Sequence, residues 1–231
     1  MFFLILFVLF SCSKDPETII ETVEVVKEVE VTVTETVTVE VDPFADSTLE
    51  GVLTSDKTLS SDKIWLLKGR VVVGDGATLT IPAGTVIKAE PGSGADASTL
   101  IIARGGKIDA KGTASKPIIM TAKADNIQAD GTYPATGASL TVNSRGLWGG
   151  LLVLGKAPSS FKGDVSELQI EGIPVSDTNG LYGGSVSDDN SGTMQYISIR
   201  HGGAEIGEGN EINGLTLGGV GSGTVLSLIH I

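Results

Sequence analysis

The chain has 231 residues, with 16 Lys and Arg against 28 Asp and Glu, and a formal net charge of −12. Phosphate backbones are bound through a basic face, so this balance argues against nucleic acid as a partner. Its 31 glycines, 5% aromatic residues and recurrent Val, Ile and Thr point to an all-β protein built around one sizeable domain.

The first ten residues, MFFLILFVLF, are apolar. A bilayer span needs about 20 such residues, so this run reads instead as the h-region of a signal peptide. Cys12, the only cysteine, follows almost at once; alone it forms neither an intrachain disulfide nor a cysteine metal site. Leu9-Phe10-Ser11-Cys12 resembles a bacterial lipobox, with an aliphatic residue three before the cysteine and a small one just before it. That resemblance implies a signal peptide over 1–11, cleavage before Cys12 and lipidation of its thiol. Phe10 is bulkier than such signals usually carry, and no Lys or Arg precedes the apolar run; an ordinary signal peptide with an incidental cysteine is the alternative. Acylation would anchor the chain stably, since each buried methylene contributes about 0.8 kcal/mol.

Residues 17–41 are of low complexity. From Val29 to Val41 the even positions are only Glu and Thr while Val dominates the odd ones, a strand period rather than a helical one. Extended, those 13 residues reach roughly 40 Å, and 12–48 is read as a lipidated N-terminus and tether. A strand added to the body or to another chain is the other reading, with the glutamates acting as gatekeepers against sticky edges. Asp42-Pro43 ends the pattern.

The body, 49–225, repeats short β-runs punctuated by glycine. Runs are expected over Val71–Val73, Ala77–Ile81 and Thr85–Ala89, then over Leu100–Ala103, Lys107–Ala110 and Pro117–Thr121, with corners at Gly74-Asp75-Gly76, Pro82-Ala83-Gly84, Gly105-Gly106 and Lys111-Gly112-Thr113. Val72 to Ile101 and Leu79 to Ile108 share an offset of 29 residues. Triplets of strands recurring once per turn predict a parallel β-helix, in which inward aliphatic residues stack coil upon coil. Antiparallel hairpins in a jelly roll are the competing arrangement, and Asp75-Gly76 would suit such a turn. Later coils are expected around Leu151, Val153 and Leu154, around Tyr196, Ile197 and Ile199, and around Leu215, Leu217 and Val225. The polar stretches 123–145 and 156–191 should be loops protruding from the wall, where solenoids carry function.

The phrases LKGRVVVGDGATLTIPAGTVIKAEPG, STLIIARGGKIDAKGTASKPIIMTA, GLWGGLLVLGKAP, IEGIP and YISIRHGGAEIGEGNEINGLTLGGVGSGTV resemble a largely uncharacterised family of right-handed parallel β-helix lipoproteins of Bacteroidetes-type bacteria. The resemblance covers roughly 50–225. It implies a pectate-lyase-like solenoid, export, and a lipid-anchored place on the outer membrane or cell surface; it implies no chemistry. Members of that family continue for several more coils after GSGTV. Here the chain ends Leu226-Ser227-Leu228-Ile229-His230-Ile231, the translation of a transposon end used in sequencing-library preparation. Residues 226–231 are therefore read as adapter read-through, and the domain as incomplete at its C-terminus.

Candidate site residues are few. Arg200-His201 follows a strand, and a β-helix lyase would use such an arginine as base together with calcium held by acids. Asp188, Asp189 and Asn190, with Glu205, Glu208 and Glu211, are oxygen donors of the kind calcium prefers, although Asp188-x-Asn190-x-Gly192 is only a fragment of a calcium loop. Solvated loop acids and a corner histidine are the plainer readings. Trp65 and Trp148 are candidate sugar-stacking platforms, with Trp148 equally able to cap the core. The glycines of 218–223 spell no phosphate-binding motif, and a single credible histidine argues against a Ser-His-Asp triad. The expectation is a surface lipoprotein with a structural, adhesive or glycan- or protein-binding role, no catalytic residue and no obligatory cofactor. A polysaccharide lyase or glycoside hydrolase is the alternative.

Overall fold

The structure, a computed structural model, describes residues 19–24, 34–39, 43–161, 166–207 and 210–230. Cys12 and the signal segment 1–11 lie outside these residues, as do Glu208 and residues 29–33 of the alternating segment. The chain divides into two compact units, Met1–Asp46 and Ser47–Ile231. In the first, β1 (Ile19–Glu24) pairs antiparallel with β2 (Thr34–Val39), Ile19 facing Val39 and Glu24 facing Thr34. The period-2 pattern thus forms strand, and part of that strand finds its partner within the same low-complexity segment.

The second unit winds as successive coils. The first coil contains β3 (Thr48–Leu53) and β4 (Lys57–Thr58), and the second β5 (Ile64–Val73) and β6 (Thr78–Ile81). The third contains β7 (Val86–Ala89), β8 (Thr99–Ile102) and β9 (Lys107–Lys111). The fourth has β10 (Ile118–Ala122) and β11 (Gly150–Leu154), passes a short antiparallel pair β12 (Leu168–Gln169) and β13 (Leu181–Tyr182), and ends in the first half of β14 (Gly192–Ile199). The fifth runs from the second half of β14 through the antiparallel pair β15 (Glu205–Gly207) and β16 (Asn210–Glu211) to β17 (Leu215–Gly218) and β18 (Val225–His230).

Like positions in successive coils form three parallel walls. Residues 64–67 of β5, then β7, β10 and the end of β14 make the first. Residues 70–73 of β5, then β8, β11 and β17 make the second. The third holds β4, β6, β9, the start of β14 and the start of β18. This is a parallel β-helix; the antiparallel jelly roll is excluded because every strand pairing in the walls is parallel. Val72 pairs with Ile101 and Leu79 with Ile108, the register that the 29-residue offset predicts. Strands that serve two walls bend at left-handed residues. β5 does so at Gly69 (φ 62°), a conformation glycine adopts freely, and β14 at Tyr196 (φ 50°), where a side chain makes it strained.

Alternation sends every second residue inward. Trp65, Ile87, Met120 and Ile199 stack by register on the first wall, and Val71, Leu100 and Leu151 on the second, within one buried core. Each such side chain contributes about 1.5–3 kcal/mol through its burial. The intervening outward residues are apolar too, and that decides where the long insertions go. Val72, Ile101, Leu152 and Leu154 on the outside of the second wall are covered by Ile170, Ile173 and Tyr182 of the 155–191 insertion and by Ile212. Val86 and Ile119 on the outside of the first wall are covered by Ile127 of the 123–149 insertion. The insertions expected to protrude thus send Ile127, Ile170 and Ile173 back against the walls, because bare aliphatic rows facing water are unfavourable, while Val142 and Val175 stay exposed. Among the described residues, no helix is long and apolar enough to cross a membrane.

Candidate functional site

The corner between the first and second walls is built from two insertions laid one on the other. Gly146 donates its amide to the Gly202 carbonyl and Leu147 to that of His201, both at 2.9 Å, while Gly203 and Ala204 donate back to Gly149 and Trp148 at 2.9 and 3.0 Å. Trp148 lies beneath this ladder, 1% exposed, its indole N–H donating to the Arg200 carbonyl at 2.7 Å. A stacking platform needs an open ring face, so the expectation of a sugar contact at Trp148 is corrected: burial makes it part of the core. Trp65 is likewise buried, with the ammonium groups of Lys57 and Lys63 at 5.4 and 5.0 Å from its ring centre.

Arg200 and His201 stand together on that corner. The Arg200 Nε–H donates to Ser198 Oγ and its Nη1–H to the Tyr133 hydroxyl, each at 3.0 Å. His201 adopts the left-handed conformation (φ 59°), which histidine tolerates better than bulkier residues. Its Nδ1 lies 2.6 Å from the Ser144 carbonyl; a carbonyl only accepts, so Nδ1 carries the proton. Its Nε2 faces Asp125 at 4.0 Å.

Asp125 is fully buried. It accepts from the Thr121 hydroxyl at 2.7 Å, the Ile127 amide at 3.3 Å and the Tyr133 hydroxyl at 3.4 Å. Burial pushes Lys88, on β7 outside the first wall, below the ordinary lysine range, and the Asp125 carboxylate counters part of that shift. Asp125 thereby ties the 123–149 insertion to the wall, reaching β10 through Thr121 and β7 through the Lys88 charge. Beside this network opens a cavity of about 490 Å³ lined by Tyr133, Thr141, Ser144, Arg145, Arg200 and His201, among others.

The other candidate residues sit elsewhere. Asp188, Asp189 and Asn190 occupy the corner leading into the third wall. There Asp189 accepts from Ser191 Oγ at 3.2 Å and Asn190 Oδ1 from the Gly192 amide at 2.8 Å, the bonds of a tight turn. The turn is tight because Gly192 (φ 112°) would put a β-carbon 1.9 Å from the Ile108 carbonyl oxygen. Among the described residues no group of three or more His, Cys, Asp or Glu could hold a metal ion. Glu205 faces Glu211 across the β15–β16 pair.

Residues 51–231 match the family model described as a pectate-lyase-like beta helix domain. The chain belongs to this pectate-lyase-like beta helix family. Neither the curated proteins nor the solved structures gave a match. Within this β-helix the corner sets the Arg200 guanidinium beside an open cavity, while the His201 imidazole is engaged by the Ser144 carbonyl at Nδ1 and faces Asp125 at Nε2. Asp125 is enclosed, and its lone pairs are taken up by hydroxyl and amide donors. Sequence reasoning passed over Asp125, Tyr133, Lys88 and Arg145; the one signal for them was Ile127, an isolated aliphatic in a polar stretch, marking a segment that returns to the wall.

Proposed function

We propose that this β-helix is a lipid-anchored protein of the bacterial outer surface whose role is non-catalytic: it holds an extended glycan or a surface protein at the corner between its first and second walls. The observation that carries the reading is the distribution of charged groups. Arg200 and His201 line an open cavity, Asp125 beside them is sealed from solvent, and Asp188 and Asp189 belong to a different corner. Hydrolysis of a glycosidic bond uses two carboxyl groups flanking that bond. A calcium-assisted lyase would need acids gathered near Arg200.

The rival reading, a polysaccharide lyase or glycoside hydrolase, draws on one observation: Arg200 and His201 reach the same cavity. A glycan array combined with a reducing-sugar release assay separates the two. Saturable binding without release of reducing ends is the expected result, and release that depends on Arg200 would overturn the non-catalytic reading. The anchor is tested by metabolic labelling with palmitate. Incorporation into the wild type and its loss in Cys12→Ala are expected, and an unlabelled wild type would remove the lipoprotein assignment.

A further inference from the structure

The chain has four arginines. Arg70 pairs with Asp177 at 3.6 Å, and Arg104 pairs with Glu167. The other two, Arg145 and Arg200, line one and the same cavity of about 490 Å³, and neither has a carboxylate within ion-pair distance among the described residues. Arg200 is held by neutral oxygens only, those of Ser198 and Tyr133. Arg145 is exposed on the rim. The buried Asp125 carboxylate meets Arg200 only through the Tyr133 hydroxyl, which accepts from the guanidinium and donates to Asp125.

The rest of the lining has the same bias. No Asp or Glu contributes to it. Thr141 Oγ1 accepts from the Asn143 amide and Ser144 Oγ from the Thr141 amide, so both hydroxyl protons are left to point at a ligand. His201 also lines the cavity, but its Nδ1–H is given to Ser144 and its Nε2 faces Asp125, so the proposal asks nothing of it. The volume falls within the roughly 300–1,000 Å³ of small-molecule sites.

We propose that this cavity is an oxyanion site that takes a sulfate, phosphate or carboxylate group of the ligand between the guanidinium forks of Arg145 and Arg200, with Thr141 and Ser144 as hydroxyl donors. The planar fork of arginine matches all three groups, and charge-assisted bonds of this kind are the strong ones. The inference deepens the binding role proposed above, on which it rests, by naming the charge class of the ligand. His230 also lines the cavity, but the proposal uses no side chain of 226–231.

The test titrates the full chain with sodium sulfate, inorganic phosphate and sodium glucuronate in parallel, at ionic strength held constant with sodium chloride, following binding by calorimetry. Saturable binding of at least one anion is expected, and the strongest of the three arms identifies the group. Arg145→Gln and Arg200→Gln should each weaken it by about 10-fold or more. Arg145→Gln alters only an exposed side chain, so its thermal melt should match the wild type. Absence of saturable binding in all three arms, or binding unchanged in both variants, would overturn the site. Anion binding without any glycan or protein ligand on an array would sustain the site while removing the proposed role. Array binding by neutral glycans alone, with no anion saturating, would do the reverse.

Discussion

Trp148→Ala is expected to lower the free energy of unfolding by about 3–5 kcal/mol, read from urea denaturation. The indole is among the largest fully buried side chains of the protein and sits within the principal core cluster. Its removal leaves a cavity under the corner, and the close backbone packing there resists collapse: a β-carbon at neighbouring Gly149 would lie 2.1 Å from Thr99 Oγ1. It also strips the Arg200 carbonyl of its indole donor. Trp148→Phe separates the two effects, retaining most of the volume while losing the hydrogen bond, and should cost about 1–2 kcal/mol. A Trp148→Ala loss below about 1 kcal/mol would mean that the corner does not rest on this ring.

Asp125→Ala should destabilise by about 3–4 kcal/mol, because it leaves the Thr121 hydroxyl and the Ile127 amide without their acceptor and removes the carboxylate facing Lys88. The pH dependence carries a distinct signature. Lys88, lowered by burial, binds fewer protons in the folded state than in the unfolded one. Stability attributable to it therefore rises as pH climbs through the folded value, and levels off above the unfolded value near about pH 10. Removing Asp125 takes away the influence that raises Lys88, so this alkaline window should widen toward neutral pH. Urea midpoints between about pH 7 and 10 should climb more steeply in Asp125→Ala than in the wild type. Equal slopes would show that the carboxylate and the ammonium do not sense one another. Amide exchange over 123–145 should accelerate in the variant, since this insertion is tied to the wall through Asp125.

The walls were legible in the sequence because a solenoid writes its vertical neighbours at a fixed spacing. Leu79 and Ile108 announce each other from 29 residues apart, and five of the six expected runs differ from the observed strands by one residue at their ends, while the sixth, Val71–Val73, is only the end of a strand that begins at Ile64. That spacing holds only where corners are short. Leu100 pairs with Leu151 and Leu151 with Leu215, separations of 51 and 64 residues that no repeat offset reveals. Outward apolar residues such as Leu152 and Leu154 were equally hard to place, since a strand covered on both sides reads as a continuous aliphatic run and hides which face its cover occupies. Arg200 and His201 were visible as a polar pair after a strand. The carboxylate beside them was not, because Asp125 reaches the cluster through the path of its insertion and not through any motif.

The unequal spacing between wall partners sets an order of assembly. Closing the 29-residue excursion from Val72 to Ile101 is less demanding than closing the 79 residues between Ile118 and Ile197, by about 1 kcal/mol of chain entropy. The second and third coils close from nearby segments alone, which makes them the expected nucleus. The long excursion is the one that ends in β14, whereas β18 returns to β14 over only 32 residues, so closing the fourth turn is the expected slow step and the finished β14 the template for the last strand.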